Sequence, residues 1–382
     1  MNNKKQNIVL DVGIFTAIMT FTFWSVFRNQ NMADITAAVK MMSIPSLVAA
    51  ATLSVFYVVG EGSMICYLLK GVGEKAKLMR CIAYSFIGFF FSGITPSATG
   101  GQPMQLYYMK KDRHSVSAST VVLMIVAVVY KFVLVVTGIG ILFFWREPLK
   151  KYLEGYYLLY FVGLSLNVAL VIILLLIMFS PGIIMTIFSK IEELFVFFRF
   201  WKKSEERKVK INQFLAGYRE TVYFLKNHKK LIVVTMVCTF LQRFSIFVLT
   251  YVVYRGLGLG GFAIIDIVLL QASIYIAVDM LPVPGAQGIT EAMYKKIFRN
   301  IFPGQCLIAS MCITRGISFY FIMIVSFGVW GIAYLKNNRK SESEGNPPNK
   351  KNGVLVGYCS CLKLFLNFVF GSLEGVFSFD EK

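Results

Sequence analysis

Along this chain the hydrophobic positions neither alternate nor follow a single helical stripe; they fill whole segments near residues 8–27, 44–69, 80–95, 116–145, 154–179, 231–254, 262–281 and 305–335. A run of roughly 20 apolar residues crosses a hydrocarbon core about 30 Å thick as a helix. In lipid every backbone N–H and C=O must be paired internally, so only helices or a closed barrel can span it. The alternating ten-residue strands of a barrel are missing, and the pattern therefore predicts an all-α polytopic membrane protein.

Composition strengthens that reading. Hydrophobic residues make up 57% of the 382 positions and mean hydropathy is +0.65, against about 45–50% apolar residues in soluble domains. A water-soluble fold would lack the polar surface to coat so much apolar chain. The first segment, 8–27, contains Asp11, exceeds an ordinary signal-peptide core and has no convincing small-residue cleavage site, so it is expected to stay as the first span.

A formal charge of +19 would suit nucleic acid if it formed one patch, but the cations fall between the apolar segments. They cluster at Lys4 and Lys5, from Lys70 to Arg80, from Lys110 to Arg113, through 190–230, and from Lys336 to Lys351. The positive-inside rule puts such clusters in the cytoplasm. A single crossing between the second and third would leave one of them outside. A hairpin that enters the membrane and returns removes the conflict.

The segment supplies a break for that hairpin in Thr95-Pro96-Ser97-Ala98-Thr99-Gly100-Gly101-Gln102-Pro103. Proline and glycine stop one half-helix, and Pro103 suits the first turn of the next. A second break, Leu281-Pro282-Val283-Pro284-Gly285-Ala286-Gln287-Gly288, precedes a short helix at 290–299, and Gly288 follows Gly101 by 187 positions. Each break is followed by a long span with one buried cation: Lys131 lies 30 residues beyond Gly101, and Arg315 lies 27 beyond Gly288.

The expected architecture is thus about six full spans plus two re-entrant helical hairpins in an inverted repeat, the arrangement many secondary transporters use for alternating access. Residues 1–335 form the transmembrane domain, with repeat one at about 8–145, repeat two at about 154–335, and a basic amphipathic connector at 181–230 that meets anionic membrane lipids. Residues 336–382 form a polar linker and a tail whose apolar stretch, 354–370, is too short for a span. Both termini are expected in the cytoplasm. Lys295, Lys296 and Arg299 oppose the scheme, because it places them outside.

Half-helices that end at mid-membrane aim unpaired N–H groups and a partial positive charge at the centre, which favours anions. Hydrogen-bonding residues gather there: Thr95, Ser97, Thr99 and Gln102 at the first break, Gln287, Thr290 and Glu291 at the second. They suit a phosphate or lipid headgroup. The plainer alternative is two complete spans kinked by proline and glycine.

Ionisable side chains inside spans cost about 2.5–3.5 kcal/mol each on insertion scales and so mark candidate sites. Here they are Glu61, Lys131, Arg243, Asp279 and Arg315. Lys131 and Arg315 are expected to neutralise a lipid phosphate, with Glu61 and Asp279 pairing with them or relaying protons; fixed interhelical ion pairs are the alternative. Seven scattered cysteines and two peripheral histidines, His114 and His228, offer no metal site or catalytic triad. The glycines at 256–261 match a dinucleotide fingerprint only formally, with no strand before them. No cofactor is expected.

The stretches 95–111 and 281–291 resemble the two signature stretches of the lysylphosphatidylglycerol synthase transmembrane family, also called the flippase-like domain family, and the resemblance spans about residues 8–335. It implicates Pro96, Gly100, Gly101 and Gln102, then Pro282, Pro284, Gly285, Gly288 and Glu291. Many relatives carry Gly-Glu where this chain has Gly101-Gln102, so a carboxylate role does not carry over there.

In full-length relatives, the resemblance implies, this region moves an aminoacylated phosphatidylglycerol between leaflets, while a cytoplasmic domain attaches lysine from charged tRNA. The segments 181–230 and 336–382 are too short for such a domain. The expected function is therefore a phospholipid translocator of a bacterial plasma membrane. The alternative is a phosphatidylglycerol lysyltransferase or other lipid-modifying transferase component, working with charged tRNA and a separate lipid-modifying enzyme. A third reading is a membrane scaffold without transport.

Overall fold

The computed structural model describes residues 37, 39–95, 98–180, 182, 186, 205–281 and 288–343. The expected first span, the 181–204 part of the connector apart from residues 182 and 186, the 354–370 tail, and the tip residues Pro96, Ser97, Pro282, Pro284, Gly285 and Gln287 lie outside them.

All regular elements among the described residues are helical. In chain order they are α1 (Ile44–Gly71), α2 (Leu78–Ile94), α3 (Gly101–Lys111), α4 (Val116–Phe144), α5 (Arg146–Tyr152), α6 (Tyr157–Phe179), α7 (Glu205–Asn227), α8 (Lys229–Gly256), α9 (Ile264–Val278), α10 (Ile289–Ile297), α11 (Gln305–Arg315), a π turn (Gly316–Phe321) and α12 (Ile322–Ser343). Five helical stretches are long and apolar enough to cross a membrane: α1, α4, α6, α8 and the continuous run Gln305–Lys336. The apolar α2 and α9, of 17 and 15 residues, are shorter.

Local chemistry explains the boundaries. Proline starts α1, where its missing N–H has no helical partner in any case. Ser115 caps α4 by accepting from the Ala118 N–H. α3 closes on Lys110 and Lys111, cations that complement the negative end of the helix. Two details depart from the sequence pattern. A short amphipathic helix, α5, precedes α6, with Trp145 and Tyr152 stacked at 6.3 Å, and a π turn interrupts the last span.

Helices α1 and α8 run antiparallel along each other: Ser43 N–H donates to Gly256 O at 3.2 Å, while Gly71, at the other end, packs on Leu231. They define two ends of the bundle. At the end marked by Gly71, Glu74 accepts from Ser115 N–H and meets His114 Nδ1 at 3.1 Å. There too Asp112 accepts from the Tyr84 hydroxyl at 2.5 Å and pairs with Arg80. The start of α2 and the end of α3 therefore lie together. At the opposite end Tyr254 packs on Phe262 and Phe302, which brings the start of α9 to the end of α10.

The order long, short, short, long occurs twice, as α1–α4 and as α8–α12, and the packing follows the same scheme. Within each run the two short helices pair with each other, α2 with α3 and α9 with α10. Between the runs, α1 packs on α8, α2 on α12 and α9 on α4, so each short apolar helix leans on the last span of the other run. The two larger apolar cores share this exchange: Met323 and Trp330 of α12 sit in the one built on α2 and α3, and Leu134 and Ile141 of α4 in the one built on α9 and α10. Trp330 stacks on Phe90 at 5.7 Å.

Candidate functional site

The first break is built by close backbone approach. A Cβ at Gly101 would lie 2.7 Å from the carbonyl oxygen of Gly88, and one at Gly62 would lie 2.9 Å from that of Cys81. Only hydrogen lets α3, α2 and α1 come this near. Thr95 closes the turn, its hydroxyl donating to Phe91 O at 2.7 Å and accepting from Gly100 N–H at 2.9 Å. Thr95, Gly100 and Gly101, expected as substrate contacts, are thus engaged in shaping the turn. Thr99 is half-buried and Gln102 is exposed.

One helical turn beyond Gly101 stands Gln105, 3% exposed, whose amide donates to Glu61 Oε1 at 2.7 Å. Glu61 belongs to α1, four residues after Tyr57 and therefore on the same face. From α8, Gln242 donates to the Tyr57 carbonyl at 2.6 Å, and Arg243 donates to the Tyr57 hydroxyl.

Arg243 is 6% exposed. Its guanidinium lies 3.2 Å from the ring centroid of Tyr130 and 4.7 Å from that of Tyr57. A desolvated cation over an aromatic face gains about 2 kcal/mol, less than a carboxylate would supply at that depth. Its buried Nε has no hydrogen-bond partner, and it forms no ion pair among the described residues.

Asp279, just past α9, joins the same centre. It accepts from the Tyr130 hydroxyl at 2.6 Å and from Lys131, whose ammonium also lies 3.2 Å from Met280 Sδ. The expected pairing of Lys131 with Asp279 is present. Glu61 and Arg315, by contrast, do not pair. Arg315 binds Glu291 through Nε at 2.9 Å, because the same carboxylate is already fixed at the start of α10, accepting from Gly288 N–H at 2.5 Å. Thr290 is buried beside it.

The structure therefore joins Glu61, Lys131, Arg243 and Asp279 in one polar centre where α1, α4, α8 and α9 meet, with Glu291 and Arg315 as a second pair at the opposite hairpin. Sequence reasoning missed Tyr57, Gln105, Tyr130 and Gln242. The first lies one turn from Glu61, Gln105 one turn from Gly101, and the other two are chain neighbours of Lys131 and Arg243. Helical spacing and adjacency to the charged residues are the only traces they leave in the sequence.

Comparison with known proteins identifies the family. The family described as "Lysylphosphatidylglycerol synthase TM region" matches residues 8–326, and the chain belongs to that family. It is similar to UPF0104 membrane protein PH1989 of Pyrococcus horikoshii, 25% identical over 359 residues that cover 88% of this chain and 98% of that protein. A multi-pass membrane protein of this family is what sequence, fold and relatives agree on.

Proposed function

From that membership we propose that the protein is a phospholipid translocator, in which α2–α3 and α9–α10 are re-entrant hairpins that open to opposite faces of the membrane. The two ends of the bundle support this topology, since α2 and α3 share one end and α9 and α10 share the other. Lys70, Lys75, Lys77, Arg80, Lys110, Lys111 and Arg113 crowd the first end, which makes it the cytoplasmic one under the positive-inside rule. In this scheme the bundle is an inverted repeat whose polar centre is exposed to each leaflet in turn.

The observation that carries the reading is Arg243. A guanidinium has five donors; this one is buried between two tyrosine rings, lacks a carboxylate partner among the described residues, and keeps Nε unbonded. A phosphodiester presents two oxygens at the spacing of that fork and binds it bidentately. Lys131 adds charge nearby but is committed to Asp279. The acyl chains stay in lipid throughout, so the protein makes and breaks no covalent bond.

Purified protein reconstituted with a short-chain fluorescent phosphatidylglycerol tests this by quenching from outside. The wild type is expected to expose the inner-leaflet probe within minutes. Arg243→Lys keeps the charge and loses the fork, and is expected to slow movement at least tenfold with normal insertion. Unchanged movement in Arg243→Lys would remove the assigned role. The transferase alternative predicts instead that radiolabelled lysine passes from charged tRNA into lipid in the presence of this chain and a separate lipid-modifying enzyme.

A further inference from the structure

The charges around the centre are balanced in number but not in pairing. Three carboxylates, Glu61, Asp279 and Glu291, face three cations, Lys131, Arg243 and Arg315. Two pairs are closed by direct contact, Lys131 with Asp279 and Arg315 with Glu291. The remaining two charges, Arg243 and Glu61, make no ion pair among the described residues, although they lie close enough to interact electrostatically. Glu61 is held instead by a neutral amide, Gln105.

This arrangement responds in one way when an anion reaches Arg243. The guanidinium is then neutralised by its ligand, and Glu61 is left as an uncompensated negative charge beside a second one in a site of low dielectric. Taking up a proton cancels it, and the Gln105 amide can bond a carboxylic acid as well as a carboxylate, since it offers both a donor and an acceptor. We infer that an anionic phosphoryl headgroup and a proton occupy this centre together, the proton on Glu61. The inference rests on the translocation reading and names its driving ion.

No other group competes for that proton on the described faces around Glu61. From α8 come Gln242 and Arg243, from α3 Gln105, and from α1 itself Tyr57, whose hydroxyl accepts from Arg243. On α4, Lys131 and the Tyr130 hydroxyl are bound to Asp279; on α9, Tyr275 faces Arg243 and Asp279 and bonds Ser318. Arg315, before the π turn, is bound to Glu291. The titratable groups of α2 are engaged elsewhere: Arg80 and Tyr84 meet Asp112 at the hairpin base, and Cys81, whose backbone abuts Gly62, turns its thiol to Cys66.

Binding linkage is reciprocal; with headgroup and proton crossing only together, a proton gradient drives the lipid, and one proton per headgroup makes a difference of one pH unit worth about tenfold in lipid distribution between leaflets. The lipid gathers in the leaflet facing the alkaline side. Zwitterionic lipid brings no net charge and calls for no proton.

The test uses the full-length protein with three probes: short-chain fluorescent phosphatidylglycerol, its phosphatidylcholine counterpart, and radiolabelled inorganic phosphate. In detergent at low buffering, with a pH dye, wild type is expected to take up about one proton per phosphatidylglycerol bound and none with phosphatidylcholine. Glu61→Gln, which fixes the protonated shape, is expected to bind phosphatidylglycerol without proton uptake. In proteoliposomes with a pH difference of one unit, phosphatidylglycerol is expected to redistribute by about tenfold, and phosphatidylcholine to stay even.

Binding of phosphatidylglycerol to wild type without proton uptake overturns the coupling, as does undiminished uptake by Glu61→Gln. Proton-coupled entry of inorganic phosphate into the vesicles would keep the coupling and reassign the cargo from headgroup to free anion. If the reconstituted protein moves no lipid, the translocation reading falls, while the proton-uptake measurement still decides the coupling.

Discussion

A glutamate lies at each hairpin, Glu291 within the second and Glu61 on α1 against the first, and the two are used in opposite ways. Glu291, at the start of α10, is locked from two sides, by the Gly288 N–H and by the Arg315 guanidinium. Glu61, beside α3, touches one neutral amide. The first is a strut that ties α10 to α11; the second is a charge with freedom to change. The glycines differ in parallel. Gly101 is required by contact, with the Gly88 carbonyl where a side chain would begin, whereas Gly288 has nothing within 4 Å and is required by its φ of +82°. One hairpin is fixed by packing and the other by charge and backbone conformation.

That contrast can be broken experimentally at several strengths. The largest effect is expected for Arg315→Ala, which leaves the partly buried Glu291 without its cation; breaking a fully buried pair costs about 3–5 kcal/mol, and the partial exposure of this one puts it toward the lower end. Thermal unfolding in detergent should show a large fall in stability, much of it recovered in Glu291→Gln/Arg315→Met. A double mutant as unstable as the single one would mean that the pair is not the strut.

Next comes Gly101→Ala, where the new methyl meets backbone that cannot yield. Overpacking of this kind costs about 1–3 kcal/mol and should also loosen α3 from α2, readable as faster modification of a cysteine placed at Met104. Gly288→Ala meets no atoms and is expected to cost about 1–2 kcal/mol through its backbone conformation alone, φ +82° with ψ −57°, a region strained for any side chain; Gly288→Asn, whose tolerance is for the left-handed helical region and not for this one, should cost about as much as alanine. If Gly288→Ala unfolds at the wild-type midpoint, backbone conformation is not what glycine supplies.

The smallest stability change belongs to Glu61→Gln. It exchanges a charged hydrogen bond for a neutral one, a difference of about 1 kcal/mol or less, so its unfolding midpoint should stay close to wild type. A large loss would recast Glu61 as a structural anchor.

Much of the fold was legible because lipid imposes one rule on every span: the apolar runs among the described residues became helices with ends within a few residues of the expected positions, including the two short ones, one beside each break. The π turn and α5 were not legible, since neither changes the hydrophobic count. Within the site, the rare charges inside apolar runs were visible, and Lys131 and Asp279 met as anticipated. Their neutral companions were not. Tyrosine and glutamine are common at helix contacts, and only the crossing of α1 with α8 reveals that Tyr57 and Gln242 touch. Nor does sequence rank Glu291 above Glu61 as the partner of Arg315; that choice follows from which hairpin lies nearer.

The π turn at Gly316–Phe321 has a bearing on how the last span meets its neighbours. A π turn lodges an additional residue in the spiral, and at 3.6 residues per revolution one residue swings everything after it by about 100°. Before the turn the span rests on α8 and α10; after it, on α2. A strictly regular α-helix would carry the aromatic side of α12, including Trp330, around and away from Phe90, so deleting one residue from this turn is equivalent to twisting the far half of the rod a quarter revolution out of its groove.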